Sequence, residues 1–283
     1  MPTYIKKIRT DSGDLQIDYN ALANLPMVSN PNLLINSDFR NPVNQRGQTR
    51  YVSDAGNWSR IYTIDRWNMQ NGCSCTVNDA SITLYGNSAS SGTSCFCQVI
   101  DGALPVGTYT LQVNVKQISN GGAVSIVNSA SQIIFNANLA AGLNTFTVQN
   151  TSIFFVSIDL GSASNLEIEW IKLEYGPIAT SFAPRLYDEE FLICQRYYQT
   201  TKIHRTIRSD VYNEEIIETI PYGITLRRIP TLTSTVVQSF NVHDLSTSDG
   251  GYTCIYRVSY KLSSDNGIGH MFELNLIADA EIY

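Results

Sequence analysis

Cysteines, histidines and closely spaced carboxylates are the side chains of this chain whose types are suited to chemistry. Cys73-Ser74-Cys75 and Cys95-Phe96-Cys97 form two C-x-C pairs, while Cys194 and Cys254 stand alone. Four thiolates can hold zinc, but zinc ribbons favour C-x₂₋₄-C turns that fold around the ion. In an extended chain, residues i and i+2 share a face. The pairs therefore predict two neighbouring strands with small thiols turned to a core. Disulfide cross-links and a metal site are the other readings of the same spacing.

His204, His243 and His270 fit no metal-ligand spacing. There is no G-x-S-x-G elbow and no phosphate-cradling glycine loop. His243 and Asp244 are adjacent, so an extended backbone points them to opposite faces. Glu167 and Glu169 share one strand face, whereas glycosidases set their carboxylates across a cleft from different elements. A solvated strand face is the expectation there. We expect no enzyme, no metal and no cofactor.

Sugar recognition asks for aromatic faces against the apolar side of a ring, with placed polar groups for the hydroxyls. Trp58 lies in a polar stretch, Gly56-Asn57-Trp58-Ser59-Arg60, with Tyr51 and Tyr62 near it. Trp58, Arg60 and Tyr62 are therefore glycan-binding candidates; the competing reading is an aromatic anchor at a sheet edge. Trp67 and Trp170 sit in strand-like segments and read as core. Tyr252 follows Ser248-Asp249-Gly250-Gly251, a loop composition suited to an exposed tip, and with His243 and Asp244 makes a second candidate group.

The elements that must position these residues read mainly as β. Charged residues make up 16% of the 283 residues and Tyr reaches 16, the profile of a β-rich protein with a polar, sparsely charged surface. A net charge of −6 with no basic stretch excludes a nucleic-acid partner. No run approaches the roughly 18 apolar residues of a membrane span. Tyr109, Leu111, Val113 and Val115 alternate with polar residues; Phe154, Val156, Ile158 and Leu160 repeat the pattern, as do Ile133, Phe135, Ala137 and Leu139. Turn signals such as Asn120-Gly121-Gly122 and Ala141-Gly142 separate these strands. Leu166, Ile168 and Trp170 alternate, then Ile171 and Leu173 switch the apolar parity, which predicts a bulge or a strand covered on both sides. Short strands with such turns over residues 32–184 predict an antiparallel jelly-roll β-sandwich.

Gly176-Pro177 and Ala183-Pro184 predict a rigid linker, and the acidic run Asp188-Glu189-Glu190 opens a helix expected over residues 188–200. Tyr187, Phe191, Cys194 and Tyr198 form its apolar stripe, either packed on the second unit or contacting other copies of the chain. Residues 185–283 read as this helix plus a small β-domain. Cys254, Tyr256, Val258, Tyr260 and Leu262 line one strand face, and Phe272, Leu274, Leu276 and Ala278 another. Asp265-Asn266-Gly267 is a hairpin turn signal between them. Residues 1–31 cannot form a core alone. Asp18 is suited to cap one helical turn carrying Leu22 and Leu25, stopped by Pro26, which would gain stability by packing on other copies or on a partner.

The run KLEYGPIATSFAPRLYDEEFLICQRYYQ (residues 172–199) resembles the junction in structural proteins of tailed bacteriophages and prophages. In those, a carbohydrate-binding-module-like jelly roll precedes a small C-terminal β-domain. NLLINSDFRNPVNQRG and YTIDRW (residues 32–47 and 62–67) resemble the opening of such a jelly roll. KIRTDSGDLQIDYNALANLP (residues 7–26) resembles the attachment segment of fibre-type proteins.

The resemblance implies a tail-fibre or receptor-binding protein, a homotrimer attached through residues 1–31 to a tail, baseplate or capsid protein. It implies multivalent binding of bacterial surface polysaccharide, and a virion location after assembly in the host cytoplasm. Lys6, Lys7 and Arg9 are followed by Thr10-Asp11-Ser12-Gly13-Asp14 where a signal peptide needs its apolar segment, which agrees with that expectation. Many carbohydrate-binding modules carry a structural Ca²⁺, but no oxygen-rich D-x-D-x-D run occurs here, and none is expected. A capsid-decorating fibre or connector without its own receptor and a surface-polysaccharide depolymerase are the alternatives.

Overall fold

The computed structural model describes residues 6–10, 13–17, 30–87, 93–150, 152–208, 215–240, 242–249, 256–262 and 269–281. Near the N-terminus, β1 (Lys6–Thr10) and β2 (Gly13–Ile17) pair as an antiparallel hairpin. Leu22 and Leu25 lie outside the described residues.

Residues 30–175 fold as the expected antiparallel jelly-roll sandwich. Its strands are β3 (Arg50–Val52), β4 (Ile61–Tyr62), β5 (Asn68–Gln70), β6 (Cys73–Val77), β7 (Ile82–Gly86), β8 (Ser94–Val99), β9 (Gly107–Ser119), β10 (Ala123–Asn128), β11 (Ile133–Asn138), β12 (Gly142–Asn150), β13 (Ile153–Leu160) and β14 (Asn165–Tyr175). They form two six-stranded sheets, in the orders β11-β10-β13-β8-β5-β4 and β12-β9-β14-β7-β6-β3. The inner faces are the alternating apolar sets. Tyr109, Leu111, Val113 and Val115 come from one sheet and Val156, Ile158 and Leu160 from the other, all buried. Trp67 stacks on Phe96 with centroids 4.9 Å apart, and Phe39 meets Trp67 edge-on at 5.2 Å. Trp67 Nε1 donates to the Asn36 carbonyl at 2.8 Å, which satisfies its buried N–H.

Parity breaks explain where the pattern departs from simple alternation. The register of β14 against β9 shifts around Ile168, so both Trp170 and Ile171 become buried, as the switch at Ile171 predicts. In β10 against β11 the shift falls between Ile126 and Val127, which pairs Val127 with Ile133. Ile133 is therefore 64% exposed on the outer side of its sheet, not core with Leu139. That corrects the reading of the Ile133–Leu139 alternation.

The linker after β14 is fixed to the sheet. Phe182 stacks on Trp170, centroids 4.4 Å apart and planes 7° apart. Lys172 and Glu174, both fully buried, pair at 3.1 Å, and Lys172 Nζ also donates to Thr180 Oγ1 at 2.6 Å and the Ser181 carbonyl at 2.9 Å. Helix α1 (Tyr187–Gln195) follows. It is shorter than residues 188–200, because the N–H groups of Arg196 and Tyr197 fold back onto the Ile193 and Cys194 carbonyls and close the helix. The Tyr-Tyr-Gln-Thr-Thr run then enters a strand instead.

The C-terminal unit comprises β15 (Tyr198–Arg208), β16 (Glu215–Ile220), β17 (Thr231–Phe240), β18 (Val242–Asp249), β19 (Tyr256–Leu262) and β20 (Gly269–Asp279). They make two three-stranded sheets, β15-β20-β17 and β16-β19-β18. Phe272, Leu274, Leu276 and Ala278 face its core with Ile203, Tyr222 and Leu226. Cys254 and the 265–267 turn lie outside the described residues, as do the side chains of Tyr256, Val258, Tyr260 and Leu262.

Charged side chains, most of them buried, hold the two units together. Arg66 Nη1 pairs with Glu281 Oε2 at 2.7 Å, and Arg66 Nη2 donates to the Val99 carbonyl at 2.8 Å. Arg46 reaches Asp65 at 3.2 Å and lies over the Tyr198 ring at 3.9 Å. Gln45 Nε2 donates to Asp65 Oδ2 at 2.7 Å and to the Tyr198 carbonyl at 2.8 Å. Asp101 accepts from Tyr197 Oη and from Arg227 Nε, both at 2.7 Å. Residues from the runs 32–47, 62–67 and 172–199 thus meet at one junction.

Candidate functional site

The outer face of the β11-β10-β13-β8-β5-β4 sheet gathers polar side chains in register. One row runs Ser125, Ser157, Cys97, Asn68 and Tyr62, and the next Ala123, Asp159, Cys95 and Gln70. Their neighbours along each strand, Val124, Ile126, Val156, Ile158, Phe96 and Met69, point the other way into the core. The first outward row is nonetheless buried, and of the second Cys95 and Asp159 are partly exposed. A third row, Ile133, Val127, Phe155 and Val99, adds an apolar border.

Asp159 is held at the centre of this face. Ser157 Oγ donates to Asp159 Oδ1 at 2.6 Å, Ser125 Oγ donates to Oδ2, and Asn136 Nδ2 donates to Ser125 Oγ at 2.7 Å. Trp58, 53% exposed, stands at the rim of a shallow cavity of about 200 Å³ that it shares with Cys95, Ile133, Phe155, Ser157 and Asp159. Its loop is pinned by side chains from β5 and the turn after it. Gln70 Nε2 donates to the Trp58 carbonyl at 2.7 Å, and Asn71 Oδ1 accepts from Gly56 N at 2.9 Å. Asn71 sits at φ 51°, a left-handed conformation that Asn tolerates.

The cysteines are divided differently from the expected pair of neighbouring strands. Cys73 and Cys75, on β6, do face the core. Cys95 and Cys97, on β8, belong to the opposite sheet and point outward, because Phe96 between them takes the inward position. All four are free thiols, as is Cys194. Burial pushes Cys95 and Cys97 up to about 12, with the Asp159 carboxylate adding to the effect, so neither is a nucleophile near neutral pH.

Arg60 lies by Cys97 and Tyr62 and is partly exposed, yet its Nη1 is buried without a hydrogen-bond partner. Asn68 Nδ2 is in the same condition, while Cys97 Sγ donates to Asn68 Oδ1 at 3.1 Å. Tyr62 is 8% exposed and lies 5.3 Å from the Arg46 guanidinium, at the end of the row beside the junction. Of the three candidates from the sequence, Trp58 lines the cavity, Tyr62 ends the row at the boundary, and Arg60 is not among the cavity-lining residues.

His243 and Asp244 lie on β18, with side chains outside the described residues; Tyr252 lies outside the described residues altogether. The helical stripe divides. Tyr187 is 44% exposed and stacks on Phe191 at 6.3 Å, whereas Cys194 and Tyr198 are buried within the chain, Tyr198 on β15 and not on the helix. Sequence reasoning missed Ser125, Ser157, Asp159, Phe155 and Asn68. The signal for Ser157 and Asp159 was present in the polar alternate positions of β13, but only strand order shows that they meet Ser125 and Cys95 across the sheet.

No protein-family model matches the chain, and no curated protein matches it. Among solved structures, the chain is similar to a mutant of a Family 29 carbohydrate binding module, with 10% identity, 49% of this chain and 100% of that chain covered, and a TM-score of 0.32. It is also similar to tailspike protein 4 of bacteriophage CBA120, with 13% identity, 50% and 21% covered, and a TM-score of 0.29. Discoidin II of Dictyostelium discoideum is similar over 72% of this chain and 84% of that one, with 8% identity and a TM-score of 0.24. These likenesses are distant, and the face described above stands on its own residues.

Proposed function

We propose that the chain binds a glycan on the outer face of the β11-β10-β13-β8-β5-β4 sheet without catalysis, as a tail-fibre-like protein of a tailed-phage virion. The observation that carries the binding reading is the placement of Trp58, half exposed, at the rim of a cavity whose floor is the Ser125–Asp159–Ser157 network. An aromatic face beside fixed hydroxyl and carboxylate groups is the combination that a sugar ring and its hydroxyls require.

Binding without turnover is supported by the chemistry of the same residues. Asp159 is the carboxylate among the described cavity-lining residues, and both of its oxygens accept serine hydroxyls. Glycoside hydrolysis needs two carboxyl groups flanking the bond. The phage reading is supported by the resemblance of residues 7–26, 32–47, 62–67 and 172–199. Assembly as a homotrimer would place three shallow sites on one particle and raise apparent affinity without new contacts.

The test is binding of the full chain to host cells and to their isolated surface polysaccharide, with Trp58→Ala alongside. The expected loss is about tenfold or more, equivalent to about 1.4 kcal/mol. Unchanged binding by Trp58→Ala would remove this face from the reading. Release of reducing ends from the polysaccharide would replace adhesion by depolymerisation. Gold-labelled antibody on virions reads the location, and light scattering reads the trimer.

A further inference from the structure

We propose that the glycan taken by this face carries a free ammonium group, as an unacetylated amino sugar does, and that Asp159 receives it; the proposal rests on the reading of the face as a glycan site. Asp159 lines the cavity together with Trp58, Phe155, Cys95, Ser125 and Ser157, and it is only partly buried, so a ligand in the cavity reaches it. Among the described residues, no cationic side chain lines the cavity and Asp159 makes no ion pair. Arg60 acts on Cys97 in the neighbouring row and stands outside the lining. A partly desolvated carboxylate without a cation attracts one from outside.

The protons of the cavity floor are already committed. Ser157 Oγ donates to Asp159 Oδ1 at 2.6 Å, and Ser125 Oγ donates to Oδ2. Burial and the Asp159 charge keep Cys95 a neutral thiol, pushed up to about 12, and its S–H donates to the Thr93 carbonyl at 3.4 Å. A hydroxyl or thiol has one proton to give, so these side chains offer lone pairs and no donor. The carboxylate has about four acceptor sites, and the serines take one on each oxygen.

A ligand for such a floor must bring donors and positive charge. An ammonium has three N–H donors and no acceptor. Trp58, half exposed, and Phe155 add aromatic faces to the same cavity, and these attract a cation as well as the apolar side of a sugar ring. A sugar hydroxyl or an acetamide N–H brings one proton without charge. A uronate or a phosphodiester brings acceptors and a charge of the wrong sign.

Glucosamine, N-acetylglucosamine and glucose share one ring and differ at a single position, which is ammonium, acetamide or hydroxyl. Each is titrated into the full-length protein in mildly acidic buffer, where the amine is protonated. The readout is the nuclear magnetic resonance of the Trp58 indole. Glucosamine binding at least about tenfold tighter than either neutral sugar, weakened by added salt and levelled to theirs in Asp159→Asn, supports the proposal. The salt series on the unaltered protein tests the charge even where Asp159→Asn fails to fold. Equal affinities for the three sugars, unchanged by salt, overturn the ammonium assignment and leave the glycan reading standing. A glucosamine preference that survives Asp159→Asn with its salt dependence intact overturns the role of Asp159. A Trp58 resonance that moves with the surface polysaccharide and not with glucosamine also overturns the assignment. One that moves with none of them overturns both readings.

Discussion

Arg66 Nη1 and Glu281 Oε2 lie 2.7 Å apart although 215 positions separate them in the chain, and both side chains are buried. This pair joins the jelly roll to the last described residues of the C-terminal unit. Arg66 also stacks on Tyr197, its guanidinium carbon 3.8 Å from the ring centroid. The two units therefore share a charged contact that neither satisfies alone.

Arg66→Ala leaves buried Glu281 with only the more distant Arg46 guanidinium, at 3.7 Å, and the expected cost is about 3 kcal/mol. The double replacement Arg66→Met with Glu281→Met removes both charges and is expected to cost less than either single change. Denaturant titration of the three variants checks this. Equal losses in the single and double variants would mean that the contact is packing and not charge.

Asp65 gives the junction a pH dependence. Burial raises its carboxyl to about 7 from 3.8, against the attraction of Arg46 and the hydrogen bond from Gln45. Glu281 nearby adds repulsion. The folded protein thus holds a proton that the unfolded chain has released between these two values. Stability is fully present below the unfolded value, falls by at most about 1.4 kcal/mol per pH unit as pH rises, and levels off above about 7. Asp65→Asn should flatten the slope between pH 4 and 7 relative to the unaltered protein, measured as the denaturation midpoint across that range.

The cores were legible in the sequence because each depends on local alternation. Tyr109 to Val115 and Phe272 to Ala278 are buried along one face as their period requires. The parity switch at Ile171 signals a bulge or a strand covered on both sides, and the register of β14 against β9 shifts just before it. Ile133 was misread because its bulge arises from how β10 pairs with β11, and a single strand carries no record of its partner's register. Tyr198 was misread because its helical spacing from Cys194 is real, but the helix closes at Gln195 and β20 pairs with Tyr198 instead. Trp58 stood out by composition. Ser125, Ser157 and Asn68 become a site only when β10, β13, β8 and β5 lie side by side.

The thiols are expected to be inert in the folded protein. Cys75, Cys95 and Cys97 are pushed up to about 12, so at pH 8 about one in ten thousand of each is thiolate, against about a quarter for a free cysteine. Alkylation mapped by peptide mass spectrometry should be about a thousandfold slower at these positions than in denaturant. Rapid labelling of Cys97 in the native state would mean that its surroundings open readily.

The linker between the two units should behave as part of the sandwich and not as a hinge. Lys172 Nζ sits fully buried between Glu174, Thr180 and Ser181, and Phe182 lies flat on Trp170. Thr180 donates to Glu174 through both its backbone N–H, at 2.8 Å, and its hydroxyl, at 2.5 Å. Every charge in this cluster depends on Lys172, since Glu174 has no solvent to turn to. Lys172→Met should therefore cost about 3–5 kcal/mol, and Glu174→Gln alone should be destabilising because it leaves the ammonium unpaired. Lys172→Met combined with Glu174→Gln should recover part of the loss. Protease cleavage between residues 176 and 186 reads the linker directly: both single variants should be cut faster than the unaltered chain. If all are cut equally fast, the ion pair does not hold the linker down, and the contacts of Arg66, Arg46, Gln45, Glu190 and Asp101 must fix the two units instead.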